Sequence, residues 1–187
     1  MTVVSSTPLP PSPGEFDAIY RANVDFVWRS LRRLGVRDAA LDDATQEVFM
    51  VVHRRFHEFR PGSSIKAWLF AIAQRAASDQ RRWVRRKGNL LPLHDELPAE
   101  TSSPLDSAIT RQATDRVLEF LEKLDEPRRV AFILSDLEQM TAPEIGAALG
   151  VNINTIYYRI ASARKAFAAF VERRSIEALL SDDEDGP

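Results

Sequence analysis

The chain has 187 residues, 44% of them hydrophobic and 28% charged, with a net charge of −2, which is the composition of a folded protein of one or two domains. With no cysteine and only three histidines, it excludes a disulfide scaffold, a thiolate metal site and a cysteine nucleophile. No stretch approaches the ~20 apolar residues of a membrane span, and the Ser/Pro-rich opening from Met1 to Pro13 lacks the basic start and apolar run of a signal peptide, so a cytoplasmic protein without membrane insertion is expected.

Phe16, Ile19, Val24, Val27, Leu31 and Leu34 recur at helical spacing, and Gly35 is placed to stop that helix. Leu41, Ala44, Val48, Val52 and Phe56 mark a second helix, with Asp42 and Asp43 at its electropositive start. After the break Arg60-Pro61-Gly62-Ser63-Ser64, a third helix carries Ile65, Trp68, Leu69, Ile72 and Ala76 and ends in a basic stretch at Lys87. Residues 88–112 lose periodicity and hold three prolines and several acids, which reads as a flexible linker. Val117, Leu118, Leu121 and Leu124 open a second helical block. Asp125-Glu126-Pro127 restarts a helix expected to run through Leu137. No segment alternates as a strand. The expected fold is all-α: two small helical domains, residues 15–87 and 113–174, joined by the linker. Residues 1–14 are expected to be disordered, and residues 175–187 to form an acidic, frayed tail.

Charge is segregated along this plan. Residues 60–87 carry eight basic groups against the single Asp79, residues 88–126 carry a net −6, and residues 127–174 a net +3. Two basic blocks separated by an acidic one suggest two contacts with a polyanion. Gln74, Arg75, Ser78, Arg82 and Arg85 follow an aromatic-containing run, a combination suited to stacking unpaired bases and tracking phosphates. Asp43, Gln46, Glu47 and Phe49 set an aromatic residue on a polar face, which suits either a protein contact or plain solvation. Asp42, Asp43 and Glu47 have no convergent histidine partner, so no metal or other cofactor is expected and enzyme chemistry is poorly supported.

Thr141 to Phe167 is the most informative segment. Thr141 and Glu144 have capping-box spacing with Pro143 in the first turn. Gly150 ends that short helix, Asn152 can cap the next, and Ile145, Leu149, Ile156 and Ile160 fill the crossing. A short helix, a tight glycine turn and a longer helix form a helix-turn-helix. Its second helix has no acidic residue from Asn152 to Phe170. Asn154, Thr155, Tyr157, Tyr158, Arg159 and Ser162 would face base edges, with Arg164 and Lys165 on phosphates. The bare residues also admit a stand-alone helix-turn-helix regulator or a helical scaffold without DNA contact.

Three blocks together narrow this. Asp42-Asp43-Ala44-Thr45-Gln46-Glu47-Val48-Phe49, then Ala67-Trp68-Leu69-Phe70-Ala71-Ile72-Ala73-Gln74-Arg75, then Glu144-Ile145-Gly146-Ala147-Ala148-Leu149-Gly150 with Thr155-Ile156-Tyr157-Tyr158-Arg159-Ile160 resemble the sigma-70 family of bacterial RNA polymerase sigma factors. The chain is similar to its short extracytoplasmic-function (ECF) group, which keeps only the second and fourth sigma domains.

The resemblance implies a first domain that recognises the promoter −10 element and helps melt it, through Ser63, Ser64, Lys66, Gln74, Arg75, Ser78, Arg82 and Arg85. It implies docking of Asp43, Gln46, Glu47 and Phe49 on the β′ clamp helices of core RNA polymerase. The fourth domain would place Asn154 to Ser162 in the −35 major groove and rest on the β flap, while the acidic linker threads the RNA exit region. An anti-sigma partner and a nucleoid-associated, cytoplasmic location follow from the same resemblance. Tyr157-Tyr158 stand where the family commonly has a basic residue and serine, Asn154 replaces a frequent glycine, and Ser135 sits where some members carry arginine.

Overall fold

The computed structural model describes residues 13–59, 64–87 and 104–184. The described residues contain seven α-helices and no strand. The chain divides into two compact units, with the boundary between Glu100 and Thr101.

The first unit is a three-helix bundle of α1 (Pro13–Arg33), α2 (Leu41–Arg55) and α3 (Ile65–Lys87), each packed on the other two. The apolar spacing read from the sequence becomes its core: Val27, Leu31, Leu34, Val48, Val52, Leu69 and Phe70 are completely buried. Each such side chain contributes roughly 1.5–3 kcal/mol on leaving water. Gly35 ends α1 at a left-handed φ of 86°, and the Val36 N–H donates to the Leu31 carbonyl at 3.1 Å, satisfying a carbonyl the helix end would leave unpaired. The guanidinium of Arg81 on α3 donates to the Leu34 carbonyl beside it, so the end of α1 and the basic helix are tied together.

The second unit holds α4 (Pro104–Lys123), α5 (Glu126–Phe132), α6 (Ala142–Leu149) and α7 (Ile153–Glu184). Phe120 of α4 sits at its aromatic centre, 5.2 Å from Phe132, 5.0 Å from Phe167 and 5.5 Å from Phe170 between ring centroids. Glu119 of α4 pairs with Lys123 and with Arg174 of α7, closing the rim of this cluster.

Four expectations are corrected. Pro13 and Gly14, the end of the N-terminal segment expected to be disordered, already belong to α1. The linker read over 88–112 extends too far, because α4 begins at Pro104. Proline suits the first helical turn, and neither glycine nor proline interrupts residues 105–123. Residues 88–103 of that linker, and residues 1–12 of the N-terminal segment, lie outside the described residues. The tail expected to fray from residue 175 continues α7 as far as Glu184, since Ala, Leu and Glu are strong helix formers with no breaker among them. Residues 185–187 lie outside the described residues. The helix expected through Leu137 stops at Phe132 and widens into a π-helical turn, Ile133–Leu137, after which Gln139 takes a left-handed φ of 57°.

Candidate nucleic-acid and protein interfaces

The helix-turn-helix is built as the spacing predicts. The Glu144 carboxylate accepts from the Thr141 N–H at 2.8 Å and from its hydroxyl at 2.6 Å, and these bonds hold its carboxyl below the usual carboxylate range. Gly150 closes α6 at φ 64°, a conformation inexpensive only for glycine. The Asn152 side-chain oxygen accepts the Asn154 N–H at 2.9 Å, capping α7. Gly146 makes a close approach, since a Cβ there would sit 3.0 Å from the Val151 carbonyl oxygen, while Ala147 is exposed and Ala148 half-buried. Ile145 and Ile156 fill the crossing completely and Ile160 nearly so, whereas Leu149 is only half-buried.

The other face of α7 is open. Tyr157 and Tyr158 are 55% and 73% exposed, with Asn154, Thr155, Arg164 and Lys165 also exposed and Arg159 and Ser162 half-buried. One of the cations is held by an acid. Arg164 Nε donates to Asp136 Oδ1 of the π-helical turn at 2.8 Å, and the Ser135 hydroxyl bonds the other Asp136 oxygen. Arg159 lies within electrostatic reach of Asp125, whose carboxyl is held below its usual range chiefly by hydrogen bonds from Arg128. Sequence reasoning missed Asp136: 28 residues separate it from Arg164, and no local spacing signals such a partner.

On α2, Asp43, Gln46 and Glu47 are exposed on one face. Phe49 is not on that face. It is 3% exposed and packs edge-on against Tyr20 at 4.7 Å, so it supports the face from beneath instead of offering it a ring. The correction has a simple cause: Phe49 follows Val48 by one position and shares its buried stripe with Thr45 and Val52. Asp42 accepts a hydrogen bond from the Trp28 indole at 3.1 Å. Between α1 and α2 runs a groove of about 700 Å³ lined by Tyr20, Trp28, Gln46, Phe49, Met50 and His53, among others. It was not visible in the sequence, because its aromatic floor comes from two helices whose apolar residues each read as core.

On α3, Arg75, Arg82 and Lys66 are exposed, and Gln74 and Ser78 half-buried. The Lys66 ammonium lies 5.5 Å from the Phe26 ring centroid. Ser64 has a local task, accepting the Ala67 N–H at 3.3 Å at the start of the helix. Phe56, Phe59 and Trp68 cluster beside that start, with ring centroids 5.6–6.2 Å apart, while Trp83 is 44% exposed. Ser63 and the Arg85 side chain lie outside the described residues. Among the described residues no group of three or more His, Asp or Glu could hold a metal ion. No described helix is long and apolar enough to cross a membrane.

The comparisons with known proteins follow the same division. Residues 19–87 match the family Sigma-70 region 2, and residues 114–167 match Sigma-70, region 4. The chain is 30% identical over 171 residues to the ECF RNA polymerase sigma factor SigE of Mycolicibacterium smegmatis, covering 89% of this chain and 65% of SigE. It therefore spans just under two thirds of that relative's length. It is 26% identical over 155 residues to the RNA polymerase sigma factor CnrH of Cupriavidus metallidurans, covering 79% of this chain and 81% of CnrH. Two solved structures share the fold. CnrH in complex with the cytosolic domain of CnrY aligns with a TM-score of 0.66 at 23% identity, over 87% of this chain and 90% of that one. The sigma factor RpoE of Bartonella quintana, in complex with the anti-sigma factor NepR, aligns with a TM-score of 0.68 at 22% identity, over 84% and 96%. With region 2 and region 4 in that order on two helical units, the chain belongs to the sigma-70 family of RNA polymerase sigma factors, in its extracytoplasmic-function group.

Proposed function

We propose that this protein binds core RNA polymerase, directs it to promoters with a −35 and a −10 element, and promotes opening of the DNA there. The observation that carries this reading is the pairing, in one chain, of a region 2 bundle with a region 4 helix-turn-helix whose second helix exposes a face free of acid. In the assigned domains, residues 15–87 read the −10 element and bind polymerase, and residues 113–174 read the −35 element.

On α3, Gln74, Arg75, Ser78 and Arg82, with Ser64 and Lys66 at its start, receive the −10 strand. Unstacking a base costs a few kcal/mol, which stacking and phosphate contacts must offset. The exposed Asp43, Gln46 and Glu47 dock on the β′ clamp helices, and the second unit rests on the β flap. The α1–α2 groove beside that docking face suits an anti-sigma partner, in line with the solved complexes of two related folds. The protein holds no catalytic residues of its own and works in the cytoplasm, on the nucleoid.

The test is capture and transcription. Purified core RNA polymerase should retain this chain, and the mixture should start RNA at promoters that core polymerase alone ignores. Failure of both sinks the reading. A stand-alone regulator would instead bind duplex DNA tightly without polymerase.

A further inference from the structure

The first two turns of α7 carry no charge. From Asn152 to Tyr158 the sequence reads Asn-Ile-Asn-Thr-Ile-Tyr-Tyr, and apart from the buried Ile156 these residues are exposed. The nearest cations lie outside this stretch: Arg159, half-buried, follows Tyr158, and Arg164, further along, is held by Asp136. The end of the helix placed to reach base edges therefore presents amide, hydroxyl and apolar groups only.

Major-groove chemistry gives this a meaning. Guanine presents two acceptors, O6 and N7, and its usual partner is arginine or lysine. Adenine presents an acceptor and a donor, N7 and the N6 amino group, which match a carboxamide. Thymine presents its C5-methyl group, which seeks apolar contact. Asn152 spends its amide oxygen on the Asn154 N–H, which leaves the exposed Asn154 amide to read a base. Tyr157 and Tyr158 offer broad apolar rings, and Thr155 adds a methyl. Tyr158, 73% exposed, presents a broad apolar ring to solvent.

We propose that α7 selects A·T base pairs at the −35 positions it contacts, with Asn154 reading adenine and Tyr157 and Tyr158 packing on thymine methyl groups, and that it does not select guanine there. This rests on the assignment of α7 as the −35 reader.

The experiment uses the full chain assembled with core RNA polymerase, and a promoter library with the −10 element fixed and the −35 region randomised. Selected promoters should be rich in A·T at two or more adjacent −35 positions. Replacing a selected thymine by deoxyuridine removes only the methyl group, and should weaken binding about fourfold, as one buried carbon does. Tyr157→Ala or Tyr158→Ala should abolish sensitivity to deoxyuridine at one position, and the corresponding phenylalanine should keep it. Both rings are exposed, so an unchanged melting temperature checks that the variants fold. Enrichment of G·C at those positions, or A·T enrichment indifferent to deoxyuridine and to both alanine variants, overturns the proposal and leaves α7 a −35 reader. Absence of any −35 selection, with −10 dependence intact, overturns that assignment and this proposal with it.

Discussion

Arg164 and Asp136 meet at 2.8 Å, Nε to Oδ1, and so fasten α7 to the π-helical turn. The pair engages the guanidinium through its Nε. Gln139 holds the turn in place by donating to the Asp136 carbonyl at 2.7 Å. With the Arg164 side chain 60% exposed, the ion pair itself stabilises the fold by no more than about 1 kcal/mol. On the proposed −35 reading, the pair holds a phosphate contact ready.

Arg164→Ala should therefore weaken promoter binding by the polymerase complex to a similar degree across −35 sequences. It should also lower the slope of log affinity against log salt by about one. Asp136→Ala should weaken binding in the same sequence-independent way although it removes a negative charge, because the freed arginine must be ordered again on each encounter. Binding that tightens in Asp136→Ala would show that the acid merely competes with DNA.

The α2 face separates function from folding. Asp43, Gln46 and Glu47 are exposed, and surface changes of this kind usually move stability by no more than about 0.5 kcal/mol. Replacing all three with alanine should leave the melting curve in place and abolish capture by core polymerase. Phe49→Ala is a different experiment. The ring is buried against Tyr20, and its loss should cost about 3–5 kcal/mol, so the first unit should melt before any question of binding arises. Normal capture by the triple variant would remove that face from the polymerase contact.

The turn between α6 and α7 depends on two glycines for different reasons. Gly150 needs its left-handed φ of 64°, and alanine there should cost about 1–2 kcal/mol. Gly146 has an ordinary backbone but no room, with the Val151 carbonyl 3.0 Å from where a Cβ would be. Alanine at 146 should push the turn outward and turn the first residues of α7 away from the groove. Promoter binding should then fall further than the melting temperature suggests. Equal losses in both measurements would mean that the turn sets stability alone.

These positions show what the sequence could and could not reveal. Gly150, Asn152 and the Thr141–Glu144 box were legible because capping is local: each signal lies within four residues of the group it satisfies. Ile145 and Ile156 were legible because burial repeats with the helical period. Phe49 was misplaced because Gln46, one helical turn before it, is polar and exposed, and the ring looks exposed with it until the packing of α1 is known. Asp136, Trp28 and the α1–α2 groove were hidden for the same reason, since they depend on residues brought together only by tertiary packing. The start of α4 at Pro104 was missed because a proline and several acids resemble a linker until enough following residues sustain a helix.

Acid should unfold the second unit through a small set of carboxylates. Hydrogen bonds from Thr141 hold Glu144 below its usual range, those from Arg128 do the same for Asp125, and those from Lys123 and Arg174 for Glu119. A carboxyl with a lowered pKa in the folded chain binds fewer protons there than when unfolded. Its stabilising contribution is therefore complete above the ordinary carboxylate range. It is lost as pH falls through that range to the lowered value. The melting temperature should hold steady from about pH 7 to pH 5 and fall below that. Asp125→Asn combined with Glu144→Gln keeps the shapes and removes the charges. That variant should melt earlier than the parent at pH 7, and the gap should close as pH falls below the lowered carboxyl range and the parent's carboxyls take up protons. A gap that keeps its size as pH falls would mean that these groups act as neutral caps and that the acid sensitivity has another origin.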